Sequence, residues 1–295
     1  MSQYQRLLLI INPVLRHSHA ILHAAALAKA SGASLHIAAL LQSLDILLLL
    51  EQGVRDKVRE SYLKEYGEWL EEQVRSMRRR GINVTTEVAW VDDVQLETLQ
   101  YVTELQPDLL IKEIRHEPVL TRAFFTPMDW HLLRHCSVPI YLLGASGDVL
   151  PRKVVAAVDS SSTQSQNDEL NERIIKQASS LALQCNAELH LLSACDITAD
   201  FLGDMGDGIA LSDLTKQLRR KRQKSFLKLA GRFGVPSDCR HFIKGHPVPT
   251  ITEFANENQV DVIVMGRTQS HGLGKLIGST TEHILYQVPC SVLAV

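Results

Sequence analysis

The densest chemical signal in this 295-residue chain is the run Met265-Gly266-Arg267-Thr268-Gln269 continuing to Gly278-Ser279-Thr280. Gly266, Gly272, Gly274 and Gly278 remove Cβ atoms from a short stretch, so backbone N–H groups there can come close to a ligand. Ser279 and Thr280 open a helix-forming segment, with Glu282 three residues after Ser279 in capping-box spacing. A helix start leaves N–H donors unpaired and carries a partial positive end, which is the chemistry that holds a phosphate or another anion. A helix-capping loop whose glycines serve only turns accounts for the same residues, because glycine spacing by itself is a weak motif. Both readings stand at this point.

Two other segments should converge on the same corner. "VDSS" (Val158–Ser161) follows one apolar run, and "SACD" (Ser193–Asp196) follows another. Asp196, Asp200, Asp204 and Asp207 crowd the next loop. They would serve as a lid or hold Mg²⁺ beside phosphates, although a plain loop is the favoured reading. His131 and His135 stand four apart beside Cys136, and His17, His19 and His23 form a second group. These are metal-ligand types, but structural histidines are commoner. "RRKRQK" (Arg219–Lys224) wraps more than one helical turn and cannot all face one partner, so a solvated face is favoured over an acidic or nucleic-acid partner. No G-x-S-x-G elbow, P-loop or HExxH occurs, which leaves catalysis without a motif.

The elements that must position these residues come in two copies. "RLLLIINP" (Arg6–Pro13) and "RKVVAAVDSS" (Arg152–Ser161) are apolar runs of strand length ending in Asn12 and Asp159. "ASLHIAALL" and "AELHLLSAC" form the next pair, followed by long helical stripes. One stripe runs through Val54, Val58, Tyr62, Tyr66, Trp69 or Leu70, and Met77; the other runs through Leu211, Leu214, Leu218, Phe226, Leu229 and Phe233. Third, fourth and fifth strands repeat likewise, at an offset of 153 residues between Asp108 and Asp261 and of 150 between Pro139 and Pro289. Strand–helix alternation with fully apolar strands predicts α/β units with parallel sheets, and right-handed crossovers place helices on both faces. The chain is therefore expected to be two tandem doubly wound five-stranded units, Met1–Gly147 and Asp148–Val295, joined through the turn formers of "GASGDVLP".

Composition narrows the rest. Hydrophobic residues at 45% against 22% charged argue for a folded chain, and a net charge of −2 excludes a whole-chain basic field for nucleic acid. The apolar run Leu7–Ile11 is too short for a secretory core or a membrane span. Five dispersed cysteines without a CxxC pair fit reduced thiols in the cytoplasm.

"VVAAVDSS", "KGHPVPTITEFANENQVDVIVMG" and "GLGKLIGSTTEHILYQVPCSVLAV" resemble signature stretches of the universal stress protein family. "DLLIKEIRHEPVLTRAFFTPMDWHLLRHCSVPIYLL" (Asp108–Leu143) is similar to the corresponding stretch of one bacterial subtype, so the resemblance spans both halves. It implies strand order 3-2-1-4-5 in each unit. It also implies a G-x2-G-x9-G-(S/T) motif after the fourth strand in members that bind nucleotides. On that pattern Asp159 matches the acid that contacts adenosine, and Ala194 stands where backbone groups read adenine. Gly266 is the first motif glycine, Gly278 the last and Ser279 the hydroxyl residue, with Thr280 following. Gln269 occupies the middle glycine position, and the spacing to Gly278 is one residue short. Members with glutamine there tend not to retain ATP.

In the first unit Asn12 replaces the acid, Lys112 and Glu113 replace the strand end and first glycine, and Pro127-Met128-Asp129 replaces Gly-Ser. Asp129 is expected to cap the helix "WHLLRHC" and to oppose a phosphate. The resemblance implies that the fifth strands of the two units pair within one chain, with homodimerisation beyond that. The function implied is a non-enzymatic, cytoplasmic stress-response protein with an ATP- or AMP-sensing site in its second half, Mg²⁺ accompanying only ATP. The alternatives are a binder of a partly apolar ligand or interaction scaffold, and a weak Mg²⁺-dependent ATPase.

Overall fold

A computed structural model of the chain describes residues 3–12, 19–42, 49–114, 128–144, 149–160, 165–197, 209–267 and 290–295. The chain divides into two compact units, Ser2–Ala145 and Ser146–Val295.

The first unit runs β1 (Arg6–Ile11), α1 (His19–Ser31), β2 (Ser34–Gln42), α2 (Gln52–Arg79), β3 (Val84–Val91), α3 (Val94–Leu105), β4 (Leu109–Glu113), α4 (Met128–His135) and β5 (Ile140–Leu143). Its strands lie parallel in the order 3-2-1-4-5, with Leu7 of β1 opposite Leu35 on one side and Leu109 on the other. The second unit runs β6 (Lys153–Ala157), α5 (Ser165–Cys185), β7 (Glu188–Cys195), α6 (Ile209–Arg232), β8 (Arg240–Lys244), α7 (Pro247–Glu257), β9 (Val262–Met265) and β10 (Ser291–Ala294). Its parallel order, 8-7-6-9-10, is the same topology. Continuous apolar runs such as Leu7–Ile11 and Val154–Ala156 are buried because a parallel sheet is covered on both faces.

The repeat extends to small devices that turn the chain. The Asp108 carboxylate accepts the backbone N–H groups of Gln5 and Arg6 at 2.7 and 2.9 Å, and Asp261 does the same for Arg152 and Lys153 at 2.8 Å each. Gln106 and Gln259 both adopt left-handed backbone, φ 44° and 51°, at the ends of α3 and α7. Gly81 and Gly234 do so after α2 and α6, where Ile82 N–H bonds Met77 C=O and Val235 N–H bonds Ala230 C=O. Each is a helix stop that satisfies an otherwise orphaned carbonyl.

The helical stripes hold in part. Of Leu170, Ile174, Ala178, Leu181 and Ala182, whose spacing puts them on one face of α5, the last four are buried and Leu170 is half-buried. Along α2 only Tyr66, Leu70, Val74 and Met77 are buried, whereas Val54 and Tyr62 are exposed. A helix of 28 residues is about 42 Å long and outruns a strand of about 27 Å, so the first half of the stripe has no sheet beneath it. Leu214 of α6 is exposed for the same reason. Among the described residues no helix is long and apolar enough to cross a membrane.

Candidate functional site

In the order 8-7-6-9-10 the winding reverses between β6 and β9, and ligands of such sheets lie outside the carboxyl ends of the strands at that point. The structure brings Asp159, Ala194 and Gly266 to those ends. Asp159 follows β6 and is exposed, yet its backbone is held at two points. Its N–H donates to Asn171 Oδ1 at 3.0 Å, and its C=O accepts from Asn171 Nδ2 at 2.7 Å. Asn171 is itself buried on α5. The adjoining Ser160 hydroxyl lies 2.8 Å from that of Ser193, tying the turn after β6 to β7.

The register of β6 against β7 ends at Ala157 opposite Leu192, while β7 continues to Cys195. Ala194 therefore stands beyond the end of β6, with Ile243 of β8 on its other side. Arg222 of α6 reaches over this strand end and donates from Nη1 to the Asp196 carbonyl at 3.1 Å. It is thus turned inward out of the basic run, for which the sequence favours a solvated face without singling out the residue that leaves it. Asn171 was also missed. Its signal was a polar residue on the apolar stripe of α5, in line with Ile174 and Ala178.

Gly266 follows β9, and the absence of a side chain there has a definite cause. A Cβ atom would stand 2.8–2.9 Å from Cδ1, Cδ2 and Cγ of Leu170. The Leu170 side chain of α5 occupies the space that this atom would need. Gly266→Ala should lower the stability of the second unit by about 1–3 kcal/mol through overpacking. Urea unfolding followed by circular dichroism checks this, and Leu170→Ala in the same chain should recover part of the loss. Gln269, Gly278, Ser279 and Thr280 lie outside the described residues, as do Asp200, Asp204 and Asp207.

The matching corner of the first unit is built differently. Lys112 Nζ lies 2.6 Å from Asp129 Oδ1, with side chains only 14% and 3% exposed. Asp129 sits inside the first turn of α4 rather than ahead of it, and its carboxylate accepts from the ammonium of Lys112. This corrects the expected helix cap. A full charge at contact outcompetes a neutral amide, and an anion in the first helical turn is favoured in any case. Lys112 corresponds to Met265 at the repeat offset, so an ion pair fills the corner where the second unit carries Met265-Gly266.

His23, His131 and His135 each face a neighbouring side chain of the same unit. His23 Nε2 lies 3.1 Å from the Tyr141 hydroxyl, and burial pushes its pKa down to about 4. The rings of His131 and His135 lie 4.6 Å apart between centroids, tilted by 42°, and the pKa of His131 is lowered, first by burial and then by its neighbour's charge. His190 Nδ1 is 3.0 Å from His241 Nε2. No group of three or more His, Cys, Asp or Glu residues able to hold a metal occurs among the described residues, and His17 lies outside them.

Comparison with known proteins gives one answer. The model of the universal stress protein family matches residues 3–143 and 151–295. The chain is similar to Universal stress protein E of Escherichia coli strain K12, with 26% identity over 301 residues covering 100% of this chain and 95% of that one. The corresponding protein of Photorhabdus laumondii is 28% identical over 309 residues, covering 100% and 96%. Among solved structures, a functionally unknown protein from Pseudomonas aeruginosa PAO1 matches with a TM-score of 0.77 at 22% identity, covering 99% of this chain and 92% of that one. A universal stress protein from Archaeoglobus fulgidus matches with a TM-score of 0.66 at 15% identity, covering 99% and 96%. These structures share the fold. With two parallel five-stranded units on one repeated frame, and the same family model matching both, the chain belongs to the universal stress protein family.

Proposed function

We propose that this is a non-enzymatic, cytoplasmic stress-response protein whose second half, residues 148–295, holds ATP or AMP as a sensing site. The observation that carries this reading is the clasp of Asn171 on Asp159. A buried amide is committed to fixing the one acid that follows β6, at the end of the sheet where β7 has outrun its neighbour. Such preorganisation lowers the ordering cost of binding. In this reading the Asp159 carboxylate takes the ribose hydroxyls, and backbone groups around Ala194 read the base. Gly266, Gln269, Gly278, Ser279 and Thr280 surround the phosphates, and Mg²⁺ enters only with ATP. The first half, residues 1–147, binds nucleotide not at all or far more weakly than the second, because the cation at that corner, Lys112, is already neutralised by Asp129 and the pair leaves no net charge to attract a phosphate. None of the five cysteines is in a disulfide, which suits a reducing cytoplasm.

Calorimetric titration of the full chain with ATP should give one site. Asp159→Ala should weaken it by about tenfold or more, the value of one hydrogen bond to a charged group. Asn12→Ala should leave it unchanged. Wild-type affinity in Asp159→Ala would remove this assignment. A partly apolar ligand in the mouths of both units is the second reading, favoured by exposed Leu49, Leu50 and Val54 in the first. Mass spectrometry of small molecules released from the purified protein separates the two.

A further inference from the structure

The exposed face of α6 carries cations almost without acids. From Thr215 to Arg232 the helix contains no Asp or Glu. Lys216, Arg220, Lys224 and Lys228 follow one another at four-residue intervals, about 6 Å along the axis, each turned only about 40° from the last. Lys221 lies at the edge of the same arc. All five side chains are exposed, opposite the buried Phe226 and Ala230 that pack toward the sheet. Lys216 lies 3.5 Å from Asp213. Arg219, Arg220, Lys221, Lys224 and Lys228 have no ion-pair partner among the described residues.

The stripe is a property of this unit and not of the fold. At the repeat offset Lys221 and Lys224 correspond to Glu68 and Glu71 of α2, where Glu71 is paired with Arg78 at 2.6 Å. Two positions of the stripe thus carry opposite charge in the two halves of a chain whose net charge is only −2, while Lys228 corresponds to another cation, Arg75. Like charges in a row cost helix stability unless something else selects them.

We infer that this face of α6 is a docking surface for duplex DNA, engaged through the phosphates without reading sequence. Charge complementarity requires a polyanion, and the geometry selects among polyanions. A membrane-adsorbing helix must offer an apolar face to lipid, but Phe226 and Ala230 are buried within the unit. A protein partner would want an aromatic or apolar centre inside the charged rim, whereas among the described residues the only large apolar side chains that α6 exposes are Leu214, ahead of the stripe, and Leu227 within it. Single strands are held largely by aromatic stacking, and the stripe itself contains no aromatic residue. A regular row of phosphates fits a regular row of cations, and the groove of B-form DNA admits a helix where the narrow A-form groove does not. This inference does not depend on the nucleotide reading, and Asp159→Ala should leave it unaffected.

The test is fluorescence anisotropy of a short labelled DNA duplex with the full chain. With about four phosphate contacts, raising salt from about 50 to 200 mM should weaken binding on the order of a hundredfold. The exposed double substitution Arg220→Gln/Lys224→Gln should weaken binding by about tenfold or more at the lower salt and reduce the salt slope by about 2. Circular dichroism confirms that the variant folds. No binding at the lower salt, or equal binding by the variant, overturns the inference. Tighter capture of duplex RNA, phosphatidylserine vesicles or polyglutamate than of duplex DNA overturns it as well.

Discussion

Lys112→Met should destabilise the first unit by about 3–5 kcal/mol, the cost of leaving one buried charge without its counterion. The pair is short, at 2.6 Å, and the Asp129 side chain is only 3% exposed, so water cannot take over the role of the ammonium. The number measures the broken pair and not the worth of the intact one. Removing both charges, as in Lys112→Met/Asp129→Leu, should recover most of the loss, because an apolar pair of similar volume needs no solvation. The experiment is unusually clean because Trp69, Trp90 and Trp130 all belong to the first unit. Tryptophan fluorescence in a urea titration therefore reports that unit alone. A loss below about 1 kcal/mol, the value of an exposed pair, would refute the buried ion pair as the element that closes this corner.

The second large effect is acid sensitivity through His23. Burial holds its folded pKa near 4, well below the ordinary value of 6.5. The folded state then binds fewer protons than the unfolded chain between these two values, so stability is full above pH 6.5 and falls as the pH drops toward 4. Below that both states are protonated and the loss stops. The whole excursion amounts to about 3 kcal/mol, because each tenfold change in proton affinity is worth about 1.4 kcal/mol. His23→Gln keeps a neutral group facing the Tyr141 hydroxyl and should flatten this part of the pH profile. The difference between variant and wild type is the quantity to measure, since His36 and His241 are also depressed by burial and contribute to both profiles. Parallel profiles for the two proteins would sink the claim.

Much of the fold was legible because fully covered parallel strands must be apolar at every position. Leu7–Ile11 and Val262–Met265 can be recognised without any partner information, and the repeat offset at Asp108 and Asp261 supplies the topology of the second unit from the first. The extent of a helix's contact is another matter. Val54 and Tyr62 lie on the same stripe as Tyr66 and Leu70, and only the length of the neighbouring strand decides which of them are covered. At the crevice, Asp159 and Gly266 stand out in the sequence as the residues that end apolar runs. Asn171 interrupts an apolar helix stripe, but what it bonds is invisible until the strand end it clasps is in place. Lys112 and Asp129 read as two unrelated departures from a motif. Their union across 17 residues depends on how closely α4 approaches β4, which no local pattern encodes. Arg222 was hidden by its neighbours in a basic run, and only helical geometry separates it from Arg220 and Lys221.

The central position of β1 has a cost during synthesis. Leu7 pairs with Leu35 soon after both have emerged, but its other neighbour, Leu109, comes roughly a hundred residues later. At about 5–20 residues per second the ribosome leaves that apolar edge uncovered for about 5–20 s. The same interval recurs for Val154, which waits for Val262. A nascent chain of this design twice presents a half-built sheet to whatever binds exposed strands, so its yield in the cell should depend on holding chaperones more than the stability of the finished molecule suggests.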